Sequence, residues 1–326
     1  EGTGSDVLDT LMSKIDNEEC KTFVSIIQEL RTLEKWYQTY LMRFVRQAER
    51  SDRIYTQINQ CGCVSGRVSS DFQQFPKYPF TDIDGNELFS PRRMINITGF
   101  YLDYSQVELR LTAFYTILVG NPDTNLCRAY MPYKCYRILE DGTKEMFDYT
   151  NPKHIKEWDD PRWCHEEDGT PWTKLDLHGA MTKTATGLTE DDPEFKHARS
   201  AIGKRVNFAK NYGAKRGKIA EMFPDKSPEE IDRIDRAYYE TFPGIKSYHD
   251  YATTQAQYNG YGTNLFGCRY YGADGHKMIN LLVQGSGSYL LKTVIINIDK
   301  YIRETECPAR FQMNIHDECS FELNGA

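Results

Sequence analysis

Residues 93–110, RMINITGFYLDYSQVELR, decide how the chain is read. A β-prone run closes on Asp103, and a helical pattern follows from about Gln106 to Leu118. An aspartate just beyond a buried strand has its backbone fixed by the sheet and its carboxylate free to enter a cleft, a placement that can hold a divalent cation. The same position also suits a turn or a helix N-cap. A second acidic site stands at 311–323, FQMNIHDECSFEL, where a short strand, a tight acidic turn and a second strand predict a hairpin. Consecutive acids at a hairpin tip repel unless solvent or a cation compensates them, so 316-HDE reads either as a solvated tip or as half of a metal centre. Together, Asp103 and Asp317 can supply the carboxylates of a two-metal site, in which one ion lowers the pKa of an attacking hydroxyl and the other steadies the leaving group.

Between them the sequence predicts a long basic helix, starting at Asp192-Pro193 and running through Tyr212. From Lys196 to Lys218 there are eight lysines and arginines and no acid. Lys204, Phe208 and Tyr212 recur at four-residue spacing and so lie along one face. A lysine for phosphate charge beside rings that stack on a base suits a nucleoside triphosphate. A helix with a basic solvated side and buried rings fits the same spacing. The net charge of -7 argues against a nucleic-acid partner only as a sum, because ten acids are concentrated between Glu140 and Asp168.

Farther out, residues 6–48 read as two helices, the second with Phe23, Ile26, Ile27, Leu30, Leu33, Tyr37 and Leu41 on a face that must pack on something. Residues 53–80 are turn-rich. Residues 121–173 carry five prolines, dense acids and weak periodicity, and read as an insertion forming an acidic surface loop. Its Cys127, Cys135, Cys164, His154 and His165 raise the question of zinc, against which stand irregular spacings and the lack of a C-x-x-C pair. Helical signals resume at Leu177; Ser227-Pro228-Glu229-Glu230 is a capped helix start; glycines and tyrosines from Gly260 to Gly275 predict a loop or hairpin; and a helix runs from about Leu281 to Arg303. No run of eighteen apolar residues and no charged, apolar leader is present, so no membrane partner is expected. Nine scattered cysteines fit a reducing cytoplasm better than a disulfide framework.

The three sites in this order resemble the polymerase region of family A DNA polymerases, the bacterial polymerase I and phage replicase group. Residues 103-DYSQVELR match motif A, 204-KRVNFAKNYG motif B and 316-HDE motif C, with further matches at 66-GRVSS, 176-DLH, 238-YYETFPGI, 261-YGTNLFGCR and 280-NLLVQGS. The resemblance implies an α+β, right-hand polymerase fold with an antiparallel palm sheet, helical fingers and a partial helical thumb. It places residues 1–50 in the C-terminal part of the thumb and 51–110 in the first palm segment. Residues 111–260 become the fingers with the insertion, and 261–326 the second palm segment. Asp103, Asp317 and the Tyr104 carbonyl become ligands of two magnesium ions, for which manganese can substitute. Glu108 becomes the steric gate against a ribose 2′-hydroxyl. Ser105, Gln106, Lys204, Phe208 and Tyr212 fall in the nucleotide site. His316 and Glu318 support the primer terminus and metals, while Arg67, Ser69, Gln73, Asn280 and Gln284 face the duplex. Primer-template DNA and deoxynucleoside triphosphates are the implied partners, with accessory replication proteins as further ones. The compartment is a cytoplasm, the host's if the protein is phage-encoded, as the motif B wording and the insertion hint.

Three departures qualify the match. The arginine that the family places four residues before the motif B lysine is Ser200 here, with Arg199 one residue earlier. On a regular helix a five-residue offset turns Arg199 about 140° from Lys204, so it shares that face only with a local distortion, whereas His197, seven residues before, falls closer to it; Arg199 or His197 is expected to take part of the triphosphate contact. His276 and Cys268 stand where the family favours basic residues. The N-terminal helices match only the last part of a thumb and the chain stops soon after motif C, so a piece of a longer polypeptide is expected. A single-subunit RNA polymerase and a non-catalytic primer-template binding fragment are the alternative functions; Glu108 argues against the first and the paired aspartates against the second.

Overall fold

The computed structural model describes residues 4–51, 53–75, 79–81, 87–90, 99–315 and 318–323. The chain divides into two compact units, one of Glu1–Asn59, Ser70–Phe100 and Ala326, the other of Gln60–Ser69 and Tyr101–Gly325.

In the first unit, α1 (Ser5–Met12), α2 (Glu18–Trp36) and α3 (Met42–Ala48) take the place of the two predicted helices, with a π turn at Tyr37–Leu41 between α2 and α3. Asn17 caps α2 by accepting from the Cys20 amide. The apolar stripe expected to pack is in solvent: Phe23 is 64% exposed and Leu30 62%. Burial falls instead on Val24 and Phe44, whose ring meets Phe72 and Phe75 at centroid distances of 5.6 and 5.3 Å. Short strands β1 (Ile58–Asn59), β2 (Ser69–Ser70), β3 (Phe80–Thr81) and β4 (Glu87–Phe89) follow, β3 and β4 pairing antiparallel.

The predicted strand is β5 (Gly99–Asp103), but all five of its residues are exposed rather than buried and Asp103 is its last residue rather than lying beyond it; it leads into α4 (Val107–Leu118). Both sides of α4 are buried. Leu109 and Ala113 enter one apolar cluster, Val107, Leu111 and Tyr115 another, so the helix that follows Asp103 is clamped along its length. After α5 (Thr124–Arg128) the predicted loop is an ordered piece, with β6 (Cys135–Ile138), β7 (Lys144–Met146), α6 (Pro152–Lys156) and β8 (Cys164–His165) and strand order β7-β6-β8. The reason is Arg137. Its guanidinium is fully buried, pairs with Glu145, Glu157 and Asp160 at 2.6, 2.7 and 3.0 Å, and lies 4.6 Å over Trp163. Acids that read as a solvated face thus neutralise one internal cation, as a buried charge requires. Of the zinc candidates, Cys127 packs in the helical core, His154 accepts from the Asp148 amide, and Cys135 lies 3.5 Å from His165; no group of three ligating side chains able to hold an ion occurs among the described residues.

Helices α7 (Leu177–Thr186), α9 (Arg205–Asn211), α10 (Arg216–Met222), α11 (Pro228–Thr241) and α12 (Pro243–Thr254) contribute to the larger cluster, around Met181, Val206, Ile219, Ile234 and Tyr238, with the short α8 (Phe195–Ala198) between α7 and α9. The predicted capping box is formed: Ser227 and Glu230 bond each other's amides. The basic helix starts at Phe195 rather than at Asp192, whose carboxylate turns back to Thr189. Next, β9 (Tyr261–Thr263) and β10 (Arg269–Tyr271) pair as the expected hairpin. Helix α13 (Gly275–Glu304) begins six residues before its predicted start. It is long and apolar enough by composition to cross a bilayer, yet Met278, Leu282 and Val283 pack on Tyr115 and Tyr248 as core. Finally β11 (Ala309–Ile315) and β12 (Glu318–Leu323) form the predicted antiparallel hairpin, with Ile315 opposite Glu318, and the sheet order is β11-β12-β5.

Candidate active site

Asp103 ends β5 and is exposed, and its carboxylate meets no partner among the described residues. His316 and Asp317 lie outside the described residues, but the strands around them are in place. β12 runs beside β5 in one sheet, at the roughly 4.8 Å spacing of neighbouring strands. Tyr104 packs on the cluster of Leu291, Cys319 and Phe321; burial and the nearby Cys319 thiol raise its phenol pKa. The residue after Asp103 thus rests against the strand that begins just after Asp317. Ser105 and Gln106 are exposed; the Ser105 carbonyl accepts from Arg110 at 2.9 Å, and Gln106, held in a left-handed conformation with φ 56°, accepts from the Tyr130 hydroxyl at 2.8 Å.

Glu108 is buried in the first turn of α4, and its carboxylate is shared: Arg67 bonds one oxygen and the Tyr212 hydroxyl the other. Sequence reading put Arg67 on the duplex and did not foresee this link, which ties the loop before β2, the motif A helix and the end of the motif B helix. The loop is itself fastened to α13. Ser288 and Lys292 donate to the Gly66 carbonyl at 2.5 and 2.7 Å, and Tyr270 to that of Ser65 at 3.3 Å. Asn280, Gln284, Ser288 and Lys292 recur every four residues, so the first two extend the face that carries the Arg67 loop. Ser69 lies in β2, and Gln73 lies in a short 3₁₀ turn of the first unit.

In motif B the distortion required by the arginine offset is present. Arg199–Lys204 is a π turn between α8 and α9. Because a π turn pairs residues five apart, it brings Arg199 to the side of Lys204 that the α-helical count denies it. Gly203 allows this, lying so close to α7 that a Cβ there would stand 2.3 Å from the His178 carbonyl oxygen. Lys204 and His197 are exposed, whereas Phe208 is half-buried with its ring 5.9 Å from that of His178. Arg199 makes a two-toothed pair with Asp176, at 2.6 and 2.8 Å. Burial would raise the Asp176 pKa, but Arg199 and the amides of Gly179 and His178 hold it below the usual range.

Asp176 and His178 stand beside Arg199, a placement that sequence reading left unassigned although 176-DLH was recognised as a match. Asp176 caps α7 and holds Arg199. His178 is buried, and burial, with Arg199 and Lys204 nearby, lowers its pKa, so the ring is neutral at pH 7. Asn207 Nδ2 donates to the Leu177 carbonyl at 3.1 Å and faces His178 Nδ1 at 3.0 Å, which leaves the proton of the imidazole on Nε2. The result is a cradle of two cations and a neutral N–H donor, suited to the oxygens of a polyphosphate.

If Arg199 leaves Asp176 for such a ligand, the two substitutions have opposite signs. Arg199→Ala is expected to raise the nucleotide KM by roughly tenfold, the worth of one charge-assisted hydrogen bond. Asp176→Asn, which keeps the cap but drops the charge, is expected to lower it. Steady-state extension kinetics that leave KM unmoved in both variants would remove Arg199 from the site.

Comparison with known proteins agrees with this geometry. The family model for DNA polymerase family A matches residues 2–150 and 166–326, leaving part of the insertion unmatched. DNA polymerase I of Bacillus caldotenax is 27% identical over 341 residues, covering 98% of this chain and 32% of the relative. For DNA polymerase I of Pseudomonas aeruginosa the figures are 24% over 314 residues, 91% and 29%. The chain therefore spans about a third of the length of these curated relatives. Among solved structures, the POL domain of Pol1 from M. smegmatis, in complex with DNA primer-template and dNTP, superposes with a TM-score of 0.66 at 21% identity, covering 100% of this chain and 50% of that one. The likeness bears out the α+β polymerase fold read from the sequence. With the family model matching nearly its full length, this chain belongs to DNA polymerase family A.

Proposed function

We propose that the chain carries the catalytic site of a template-directed DNA polymerase that extends a primer 3′ end with deoxynucleoside triphosphates. The observation that carries this reading is the buried Glu108 carboxylate, five residues after the motif A aspartate and bonded by Arg67 and by Tyr212 at the end of the motif B helix. A side chain braced on two sides makes a rigid wall, and a rigid wall is what excludes one extra hydroxyl on a sugar. Phe208 and Tyr212 would flank the incoming base, and Lys204, Arg199 and the His178 N–H would hold the triphosphate. Asn280, Gln284, Ser69 and Gln73 would meet the duplex. In this reading residues 1–50 belong to the thumb, 51–110 and 261–326 to the palm, and 111–260 to the fingers.

The metal donors are hard oxygens, as magnesium prefers: the free Asp103 carboxylate, the Tyr104 carbonyl and Asp317. Two ions held there would neutralise phosphate charge and ease deprotonation of the primer hydroxyl. The chain's own part is to align the hydroxyl, with His316 and Glu318 beside the primer terminus, against a phosphate fixed by motif B, since phosphoryl transfer depends mainly on positioning and electrostatics.

Primer extension with matched deoxy- and ribonucleotides tests the reading. The wild type is expected to prefer deoxynucleotides, and Glu108→Ala to reduce that preference by at least about tenfold, a difference of about 1.4 kcal/mol. Deoxynucleotide extension should also slow, because Arg67 and Tyr212 lose a buried partner worth about 1–3 kcal/mol. A wild-type preference for ribonucleotides would instead make the chain a single-subunit RNA polymerase.

A further inference from the structure

The insertion and α4 line a cavity of about 520 Å3, within the size range of small-molecule sites. Five of its twelve lining side chains are aromatic. Phe114 comes from α4, Tyr130 from the segment after α5, and Tyr149 and Trp158 from the insertion. Phe114, Tyr149 and Trp158 are 45%, 37% and 40% exposed, so ring surface is left open for a ligand. Trp158 is braced by Trp172, at a ring distance of 5.8 Å and near-perpendicular planes.

Two cations complete the wall. The Arg110 guanidinium lies 4.4 Å over Tyr130, and Lys174 is exposed at the rim; neither has an acidic partner among the described residues. The acids next to the wall in sequence are engaged elsewhere: Glu157 binds Arg137 at 2.7 Å, and Asp148 accepts from the Thr150 amide and hydroxyl. Asp159, exposed next to Trp158 in sequence, opposes an anion, and so does Asp148, whose charge its Thr150 donors leave in place. Rings that stack on a flat heterocycle, next to unneutralised cations, form the combination that binds a base attached to a phosphate with little regard to sequence.

We infer that this cavity is a second nucleotide site, taking a nucleobase that carries a phosphate, either from a free nucleotide or from an unpaired DNA strand. Part of its wall comes from residues 151–165, which the family model does not match, so the site belongs to this chain rather than to the shared fold. It also touches motif A, because Arg110 and Tyr130 hold Ser105 and Gln106.

Calorimetric titration of the chain with adenosine monophosphate and with an eight-residue oligothymidylate tests the site without relying on catalysis. Trp158→Ala is expected to weaken binding of at least one probe by roughly tenfold and Trp158→Phe to restore it, as stacking requires. Lys174→Glu should weaken the same probe by about threefold or more, and Asp159→Lys should tighten it. Binding of the monophosphate identifies a free nucleotide as sufficient; binding of the oligomer alone identifies an unpaired strand. If Trp158→Ala binds both probes as the wild type does, the cavity holds no nucleobase and the inference is overturned.

Discussion

Asp103→Ala is expected to abolish primer extension, by at least about a thousandfold, while DNA binding and thermal stability stay at wild-type values. The stability half follows from the position of the side chain. Asp103 is exposed at the end of β5 and bonds none of the described residues, and surface substitutions of that kind change stability by about 0.5 kcal/mol or less. The activity half follows from the proposed chemistry. A carboxylate that holds a catalytic cation contributes several kcal/mol to transition-state stabilisation, and about 4 kcal/mol is a factor of a thousand. Asp317→Ala should behave in the same way. In the proposed reading other residues meet the duplex, so a gel-shift titration of primer-template should be unchanged. Extension within tenfold of the wild type in Asp103→Ala would remove the aspartate from the metal site. A wild-type chain that binds primer-template tightly yet extends nothing under magnesium would make it a binding module.

What could be read from the sequence was what repeats locally. The β5–α4 junction, the capping box at Ser227, the hairpin of β9 and β10 and that of β11 and β12 all depend on spacings within a few residues, and all are found. What failed depends on partners far along the chain. Periodicity identified the apolar stripe on α2 but not whether anything covers it, and Phe23 and Leu30 remain in solvent. The acids of the insertion read as a solvated face because the sequence does not show that Glu145, Glu157 and Asp160 converge on one buried arginine. Glu108 was identified as a wall, but its braces come from positions 67 and 212, distances over which no pattern speaks. The offset of Arg199 is the informative case. One residue too many before Lys204 is a local irregularity, and it pointed to a distortion that takes the form of a π turn.

That π turn makes Gly203→Ala a damaging single-methyl change outside the proposed metal site. Gly203 is buried against α7, and an added Cβ would lie 2.3 Å from both the His178 carbonyl oxygen and the Thr182 hydroxyl. The hydroxyl can rotate, although it already donates to that carbonyl at 2.7 Å; the carbonyl belongs to a helix and has nowhere to go. The two helices must therefore move apart, at an overpacking cost of about 1–3 kcal/mol. The displacement falls on the cradle itself, with Lys204 next in sequence, Arg199 at the other end of the turn, and His178 the residue struck. A shift of about 1 Å in such an arrangement costs roughly a hundredfold in rate, so kcat/KM for deoxynucleotides should fall by about that factor while primer-template affinity holds. Gly217→Ala supplies the control. It too lies in a helix of the basic stretch, but nothing stands within 4 Å of its added Cβ, and it should be neutral or slightly stabilising. If the two variants show the same nucleotide kinetics, the close contact between the π turn and α7 does not shape the site, and the assignment of Arg199 and His178 to the triphosphate loses its structural basis.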